Sequence, residues 1–344
     1  MRPLIHPVLV NGRFGDPAVF VETLFERRAL LFDLGDIGAL PARSILKVDQ
    51  VFVSHTHLDH FYGFDRLLRL NVGRAKSVTL YGPPGFLAQA HHKLQAYQWN
   101  LVGGYADDLV FLGHELVAPG VLRRARFRLK TAFVREELGE VRMIGDDVLH
   151  EDARYRVRVA VLEHRLPCLA FALEETAHVN VWKTRLEALG LPVGPWLRDL
   201  KEAIVASASD DAPIEIRASA TDPALVTLPL RQLRDLVTLT PGQKVAYVTD
   251  AADTPANRAA IVRLVEDADL LMIEATFAAA DAALAARRTH LTTVAAGEIA
   301  RAARVRRVEP FHFSPRYADR EADMLREVQA SFEARPLPRP SASG

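Results

Sequence analysis

The densest chemical pattern in the chain is a run of three histidines and one aspartate within residues 55–60. It follows residues 51–53, a short apolar stretch typical of a buried strand that ends in a turn. Alternate side chains of an extended segment share one face, so His55 and His57 can reach a single metal ion together. The pattern therefore predicts a metal site at the end of a strand.

The end of the same run offers ligands for a second ion. If the chain turns into a helix near Leu58, then Asp59 and His60 face a second position close to the first. The alternative is a polar loop whose histidines are merely solvated. The density and the types of these side chains favour metal binding, and they predict one loop that serves two ions.

Composition excludes several classes of protein. The 344 residues carry 43 basic and 43 acidic side chains, so a net charge of zero predicts no global attraction to nucleic acid, and any RNA contact must be local. The single cysteine, Cys168, rules out an internal disulfide framework, and its apolar neighbours predict a buried thiol. No apolar run approaches a membrane span and no signal-peptide pattern is present, so we expect a cytoplasmic protein without membrane contact.

Alternating strands and helices must position the metal-binding run. Apolar residues 18–25 and 29–32, separated by charged residues, predict a hairpin that leads into Asp33 and Gly35. The amphipathic pattern of residues 61–70 is typical of a helix. Further strands are predicted at 77–81, 155–162, 244–248, 270–273 and 307–310, and further helices at 86–99, 255–265, 293–303 and up to about 332.

Residues 109–173 predict a series of strands, one of which has a basic face. Arg124, Arg126, Arg128 and Lys130 alternate there with apolar residues. A solvated face explains this pattern, and a strip of phosphate contacts is the alternative.

Residues 174–242 interrupt the alternation and are predicted to be an insertion. Helical segments are expected at 184–189 and 196–206, followed by a polar region over 207–222. The insertion could serve as a lid, as a dimer contact or as an arm that grips the substrate.

Several motifs resemble known proteins. The run at 55–60 resembles the HxHxDH signature of the metallo-β-lactamase superfamily. Tyr81-Gly-Pro-Pro-Gly85, the His-x-x-Pro of His164 to Pro167 and the Phe311-His-Phe-Ser-Pro-Arg-Tyr317 motif resemble its ribonuclease Z branch, which processes tRNA 3′ ends. The resemblance implies a four-layer αββα metallo-β-lactamase sandwich with an inserted arm. It implies one hydrolase domain over residues 1–334, including the insertion 174–242, and a disordered tail over 335–344.

The resemblance also implies a set of metal ligands. Five imidazoles and two carboxylates without a thiolate suit zinc, with Mn²⁺ or Fe²⁺ as alternatives. We therefore expect two Zn²⁺ per chain, which together favour hydrolysis of a phosphodiester bond. The implied ligands are His55, His57 and His164 for the first ion, Asp59, His60 and His312 for the second, and Asp250 as the bridge.

Catalytic roles follow from the same resemblance for Asp59, Glu274 and His290. In ribonuclease Z the residues that match Glu274 and His290 deliver a proton to the leaving oxygen. Ile273 and Leu291, next to these two residues, stand where the family has histidine and serine. Asp33 is either a turn residue or, as the superfamily suggests, a support for the metal loop.

The sequence thus predicts a ribonuclease Z-like endoribonuclease that acts on precursor tRNA, with a homodimer expected from the resemblance. The alternative is a hydrolase of the same fold with a smaller substrate, such as a cyclic nucleotide phosphodiesterase, a lactonase or a β-lactamase-like enzyme. A non-catalytic member of the fold would be expected to lack ligands, and none is missing from this sequence.

Overall fold

The computed structural model describes residues 5–23, 28–145, 147–219 and 224–334, with only the backbone of His178. The disordered tail expected over 335–344 lies outside the described residues. The chain forms two compact units, residues 1–174 with 243–344, and residues 175–242. The second unit coincides within one residue with the segment predicted to be an insertion.

The first eight strands form one sheet in chain order. Strands 1 to 3 pair antiparallel, strands 3 to 6 pair parallel, and strands 6 to 8 pair antiparallel. They are β1 (Ile5–Leu9), β2 (Val19–Thr23), β3 (Ala29–Phe32), β4 (Val48–Phe52), β5 (Lys76–Gly82), β6 (Leu109–Ala118), β7 (Val121–Arg128) and β8 (Glu136–Arg142).

Four helices accompany this sheet, and the two helices predicted in this part of the chain have different bounds in the structure. The helix predicted at 61–70 is split, because the amide of Gly63 donates to the carbonyl of Leu34 at 2.7 Å and a Cβ there would lie 2.2 Å from the Gly35 oxygen. The helix predicted at 86–99 ends early, where the indole of Trp99 donates to the carbonyl of Leu94 at 2.7 Å. The helices are α1 (Ala42–Ile45), α2 (Leu58–Phe61), α3 (Phe64–Asn71) and α4 (Phe86–Gln95).

The strands expected between residues 109 and 173 are present, with one correction to the basic face. Strand β7 ends at Arg128, and Lys130 lies in the turn that follows, where Ala132 and Phe133 adopt left-handed backbone conformations and Phe133 is buried. The chain then enters the second sheet with β9 (Val148–Glu151), β10 (Tyr155–His164) and β11 (Leu166–Glu175).

The second unit has a core of its own around Trp196, Leu200 and Ile214. The region 207–222, for which the sequence predicted only a polar character, contains a strand because Ile214 and Ile216 alternate into this core. Its elements are β12 (His178–Val181), α5 (Lys183–Ala188), α6 (Trp196–Val205), β13 (Pro213–Ile216), β14 (Val226–Pro229) and β15 (Val237–Thr240), with β12 paired to β15 and β13 to β14.

The chain returns to the second sheet in parallel strands connected by helices. The sheet order is β18, β17, β16, β11, β10, β9, in which β16 pairs antiparallel with β11 and parallel with β17. These last elements are β16 (Lys244–Val248), α7 (Pro255–Val265), β17 (Leu270–Glu274), α8 (Ala282–Arg288), α9 (Thr293–Ala302), β18 (Val308–Phe311) and α10 (Glu321–Glu333).

Three apolar clusters define the layers of the first unit. Phe32, Phe52, Phe171 and Tyr247 pack between the two sheets. A second cluster places the first four helices on the outer face of the first sheet, and a third places α7, α9 and α10 on the outer face of the second. The predicted four-layer αββα architecture is confirmed. No helix of the described residues has the length and the apolar content to cross a membrane.

Candidate metal centre

The polar side chains singled out in the sequence follow the ends of strands in both sheets. His55 comes after β4, His164 ends β10, and Asp250 is the second residue after β16. Glu274 ends β17 and His312 follows β18. The carboxyl ends of neighbouring parallel strands meet at one edge of a sheet, where ligands of α/β proteins commonly bind. Strand order thus brings residues from distant parts of the sequence together.

The first expected set of ligands is assembled around one oxygen of Asp250. The Nε2 atoms of His55 and His164 lie 3.5 Å and 3.3 Å from Asp250 Oδ2. His57 Nδ1 lies 2.8 Å from His55 Nε2. One ligand atom from each of these four residues lies within 4.8 Å of the others. The group has the size of a single metal site.

The second expected set also contacts Asp250. His60 Nε2 lies 3.5 Å from both Asp59 Oδ2 and Asp250 Oδ2. His312 lies 2.9 Å from Asp250 Oδ1 through Nδ1 and 3.5 Å from Asp59 Oδ2 through Nε2. Asp250 therefore faces both sets, as expected of a bridging carboxylate.

These donors fit divalent cations. Nε2 of His60 is buried and has no hydrogen-bond partner among the described residues. Burial lowers the pKa of His60, but the Asp250 and Asp33 carboxylates outweigh burial and raise it well above its ordinary value. The centre thus favours a positive charge at this position, which a bound cation would supply.

Two other groups of the centre, His55 and Asp59, are in the protonation states that metal ligands need. Burial, with the charge of His60, lowers the pKa of His55 to about 2, so its imidazole is neutral. Burial raises the pKa of Asp59, but the hydrogen bond and charge of His312, with the charge of His60, outweigh it and bring the pKa to about 2. Burial lowers the pKa of His312, but the Asp250 and Asp59 carboxylates outweigh burial and raise it to about 10, so this ring would give up a proton on binding a metal. Cys168 is buried with its Sγ 3.6 Å from Nδ1 of His55, whereas Nε2 of His55 is the nitrogen near Asp250. Oxygen and nitrogen donors therefore make up both sets.

Asp33 supports residues 54–60, the loop that carries the first expected ligands. Its buried carboxylate accepts hydrogen bonds from the Ser54 amide at 2.6 Å, the Ser54 hydroxyl at 2.7 Å and the Tyr247 hydroxyl at 2.7 Å. It also lies 2.8 Å from Nδ1 of His60, which leaves Nε2 of that ring directed at the centre. Of the two interpretations of Asp33, these contacts favour the supporting one. Its φ of 58° shows that its backbone is also in the left-handed conformation.

Replacing Asp33 by asparagine is expected to weaken binding of the second ion. The amide nitrogen of asparagine donates hydrogen bonds, so it cannot accept from His60 and Tyr247 as the carboxylate oxygen does. Loss of such a supporting contact costs about 10 to 100-fold in metal affinity. Metal titration followed by calorimetry measures the change. Asp36→Asn, at an exposed carboxylate three residues along, is the control, and equal affinities in the two variants would contradict the supporting role.

Glu274 and His290 form a hydrogen-bonded pair beside the two ligand sets. Nδ1 of His290 donates to Glu274 Oε2 at 2.9 Å, and the Thr276 hydroxyl donates to the same oxygen at 2.6 Å. The other carboxylate oxygen accepts from the amide of Ala251 at 2.6 Å. Burial lowers the pKa of His290, but the Glu274 carboxylate outweighs burial and raises it. The pair has the geometry of a proton donor with a fixed orienting carboxylate.

The same pair could in principle join a third metal set. One ligand atom from each of Asp250, Glu274, His290 and His312 lies within 4.8 Å of the others. Both oxygens of Glu274 are already occupied by donors, however, as described above. The geometry therefore favours a proton-transfer role for Glu274 and His290.

Sequence reasoning missed several supporting contacts. The carbonyl of Thr289 accepts a hydrogen bond from Nδ1 of His164 at 2.7 Å, and Tyr247 reaches Asp33 from the other sheet. Nothing in the local sequence distinguishes these residues from ordinary turn and strand residues. Ile273 and Leu291, which depart from the family pattern, are fully buried in the apolar cluster beneath the helices, so these departures change packing rather than the centre itself.

Comparisons with known proteins agree with this geometry. Residues 230–313 match the model of the beta-lactamase superfamily domain. Ribonuclease Z of Deinococcus radiodurans is 36% identical over 314 residues, which cover 89% of this chain and 88% of that protein. Ribonuclease Z of Trichodesmium erythraeum is 31% identical over 302 residues, or 84% of this chain and 77% of that protein. The metallo-beta-lactamase fold protein YhfI from Bacillus subtilis shares the fold, with a TM-score of 0.52, 15% identity and coverage of 95% and 93%. With these similarities over most of its length, the chain belongs to the ribonuclease Z family.

Proposed function

We propose that this protein is a metal-dependent endoribonuclease that hydrolyses phosphodiester bonds, with precursor tRNA as its substrate. The observation that carries the proposal is the position of Asp250 between two ligand sets, next to the Glu274–His290 pair. The two relatives named above are both ribonuclease Z proteins, which supports RNA as the substrate class.

The two ligand sets prepare the chain to hold a pair of divalent ions. When bound, such a pair lowers the pKa of water and stabilises charge on the attacking and leaving oxygens of a phosphodiester. The role of the chain is to keep the ligands in place. Asp33 holds His60, and the Thr289 carbonyl holds His164, each through Nδ1 of the ring. Both rings therefore present Nε2 to the centre.

His290 is the residue suited to protonate the leaving oxygen. Its Nδ1 is engaged by Glu274, so the proton available for transfer is the one on Nε2. The raised pKa favours the protonated form of the imidazole, which is the form that a general acid requires. The ring lies 4.9 Å from the ring of His164 and 5.6 Å from that of His312, between centroids, which places it at the edge of both ligand sets.

Cleavage of two substrates of different size tests the proposal. Metal-loaded protein is expected to cut a 3′-extended tRNA precursor at one position and to hydrolyse bis(p-nitrophenyl) phosphate. Treatment with a chelator should abolish both reactions, and the divalent ion should restore them. Hydrolysis of the small diester without cleavage of the precursor would instead favour the alternative of a smaller natural substrate.

The remaining predictions concern the identity of the ions and the state of the protein. We propose zinc as the native metal, because imidazole and carboxylate donors suit it. A homodimer rests on the family resemblance alone, and a cytoplasmic location rests on the sequence pattern described above. Analytical ultracentrifugation of the purified protein would test the dimer.

A further inference from the structure

Exposed arginines border the side of the centre that holds His290. Arg165 occupies the one-residue turn between β10 and β11, and Arg287 and Arg288 are the last two residues of α8. All three side chains are exposed. His164 and His290 lie one and two residues from the nearest of these arginines, so a predicted metal ligand and the predicted acid share their backbone with the basic group.

Two hydrogen bonds fix these segments to each other. The Arg165 guanidinium donates to the carbonyl of Arg287 at 2.5 Å, and Nδ1 of His164 donates to the carbonyl of Thr289 at 2.7 Å. Arg165 and Thr289 both adopt left-handed backbone conformations, with φ of 51° and 59°. Such conformations cost energy for residues with a Cβ and are frequent at functional sites. The Arg165 guanidinium and the backbone that carries Arg287 and Arg288 are therefore held in place relative to His164 and His290.

Several arginines on the surface have acidic partners, whereas these three have none among the described residues. Arg128 pairs with Asp108 at 2.8 Å, and Arg304 pairs with Glu266 and Asp267 at 2.9 Å and 3.0 Å. Within the part of the chain that the structure describes, Arg165, Arg287 and Arg288 form no ion pair with a carboxylate. Three neighbouring cations without counter-charge make a local basic patch on a chain whose net charge is zero.

Helix electrostatics alone gives a simpler account of Arg287 and Arg288. Cations in the last turn of a helix interact favourably with its dipole, and Arg165 satisfies one of the terminal carbonyls. This account predicts an effect on stability only. It predicts that the effect of replacing these arginines is the same for every substrate. A role of the arginines in binding the substrate predicts the opposite, so experiment can separate the two.

We propose that Arg165, Arg287 and Arg288 bind backbone phosphates of the substrate RNA on the leaving-group side of the scissile bond. The proposal rests on the proposed function, in which His290 protonates the leaving oxygen. The nucleotides attached to that oxygen must then pass the His290 side of the centre, where the arginines lie. Guanidinium groups suit this task because they bind phosphate oxygens through paired hydrogen bonds.

The test compares Arg287→Ala/Arg288→Ala with the wild type on both substrates. Each phosphate contact to a single strand adds about 0.7 to the steepness of log affinity against log salt, which corresponds to roughly a fivefold gain in affinity at 0.1 M salt relative to 1 M salt. The double variant is expected to raise KM for the precursor about 25-fold and to lower the salt slope by about 1.4. Turnover of bis(p-nitrophenyl) phosphate, which has no flanking phosphates, should not change. Arg287→Lys/Arg288→Lys should keep most of the salt slope, because it keeps the charge.

Arg307→Ala is the matched control. Arg307 is also exposed, and it precedes β18, whose opposite end leads to His312. Equal KM values and salt slopes in the control and the double alanine variant would overturn the proposal while leaving the ribonuclease function intact. Loss of small-diester turnover in the double variant would also overturn it, since the arginines would then act on the structure of the centre. If the wild type cleaves no RNA, the proposed function fails and this proposal with it.

Discussion

Replacing Asp250 by alanine is expected to remove most of the bound metal and nearly all hydrolytic activity. Its Oδ2 lies 3.3 Å to 3.5 Å from nitrogens of His55, His60 and His164, and its Oδ1 lies 2.9 Å from His312. Asp250 thus contacts members of both proposed ligand sets. The loss of metal affinity should therefore exceed the roughly 10 to 100-fold loss that follows removal of a supporting residue outside the ligand sets.

Metal analysis and kinetics on the same preparations measure this effect. Wild-type protein purified without chelator is expected to contain about two zinc ions per chain, as a paired site requires. The Asp250→Ala variant should contain fewer than one. Turnover of bis(p-nitrophenyl) phosphate reports the chemistry without any contribution from RNA binding, and circular dichroism reports whether the variant folds.

Asp253→Ala provides the control for Asp250. Asp253 is an exposed carboxylate three residues further on, and it pairs with Arg258 rather than with the centre. It should keep both ions and full activity. An Asp250→Ala variant that folds, binds two ions and retains its turnover would contradict the bridging role.

Local and distant contacts differed in how far the sequence predicted them. The run from His55 to His60 was predicted from its residues alone, because alternation along a strand and a turn into a helix are local properties. His164 and His312 were predicted only through the resemblance. The order of strands in the sheet decides which strand ends meet, and no local sequence pattern predicts that order.

The same distinction explains the missed features of the fold. The break between α2 and α3 depends on the approach of Gly63 to the Leu34 carbonyl from a distant loop. Strand β13 is only four residues long, and its alternation of Ile214 and Ile216 lies in a segment of polar composition. The contact between Tyr247 and Asp33 joins residues of the two sheets and depends on how the sheets face each other. Each of these features is set by tertiary packing.

A His290→Ala variant is expected to lose most activity on the substrate whose leaving group most requires protonation. The leaving oxygen of RNA is a ribose hydroxyl, a poor leaving group that requires protonation, whereas nitrophenolate leaves readily without it. General acid catalysis commonly contributes about 10² to 10⁴-fold, so the loss on the tRNA precursor should fall in that range. The loss on bis(p-nitrophenyl) phosphate should be much smaller. Single-turnover rates on both substrates measure the difference, because they exclude product release.

Glu274→Gln separates the donor from the residue that orients it. Glutamine preserves the shape of the side chain but removes the charge that raises the pKa of His290 against the effect of burial. A general acid is active only while protonated, so the rate falls as the pH rises through its pKa. The alkaline limb of the pH profile on the precursor should therefore move to lower pH in Glu274→Gln and vanish in His290→Ala. Equal losses on both substrates in His290→Ala, with an unchanged alkaline limb in Glu274→Gln, would show that the pair serves the structure of the centre instead of proton transfer.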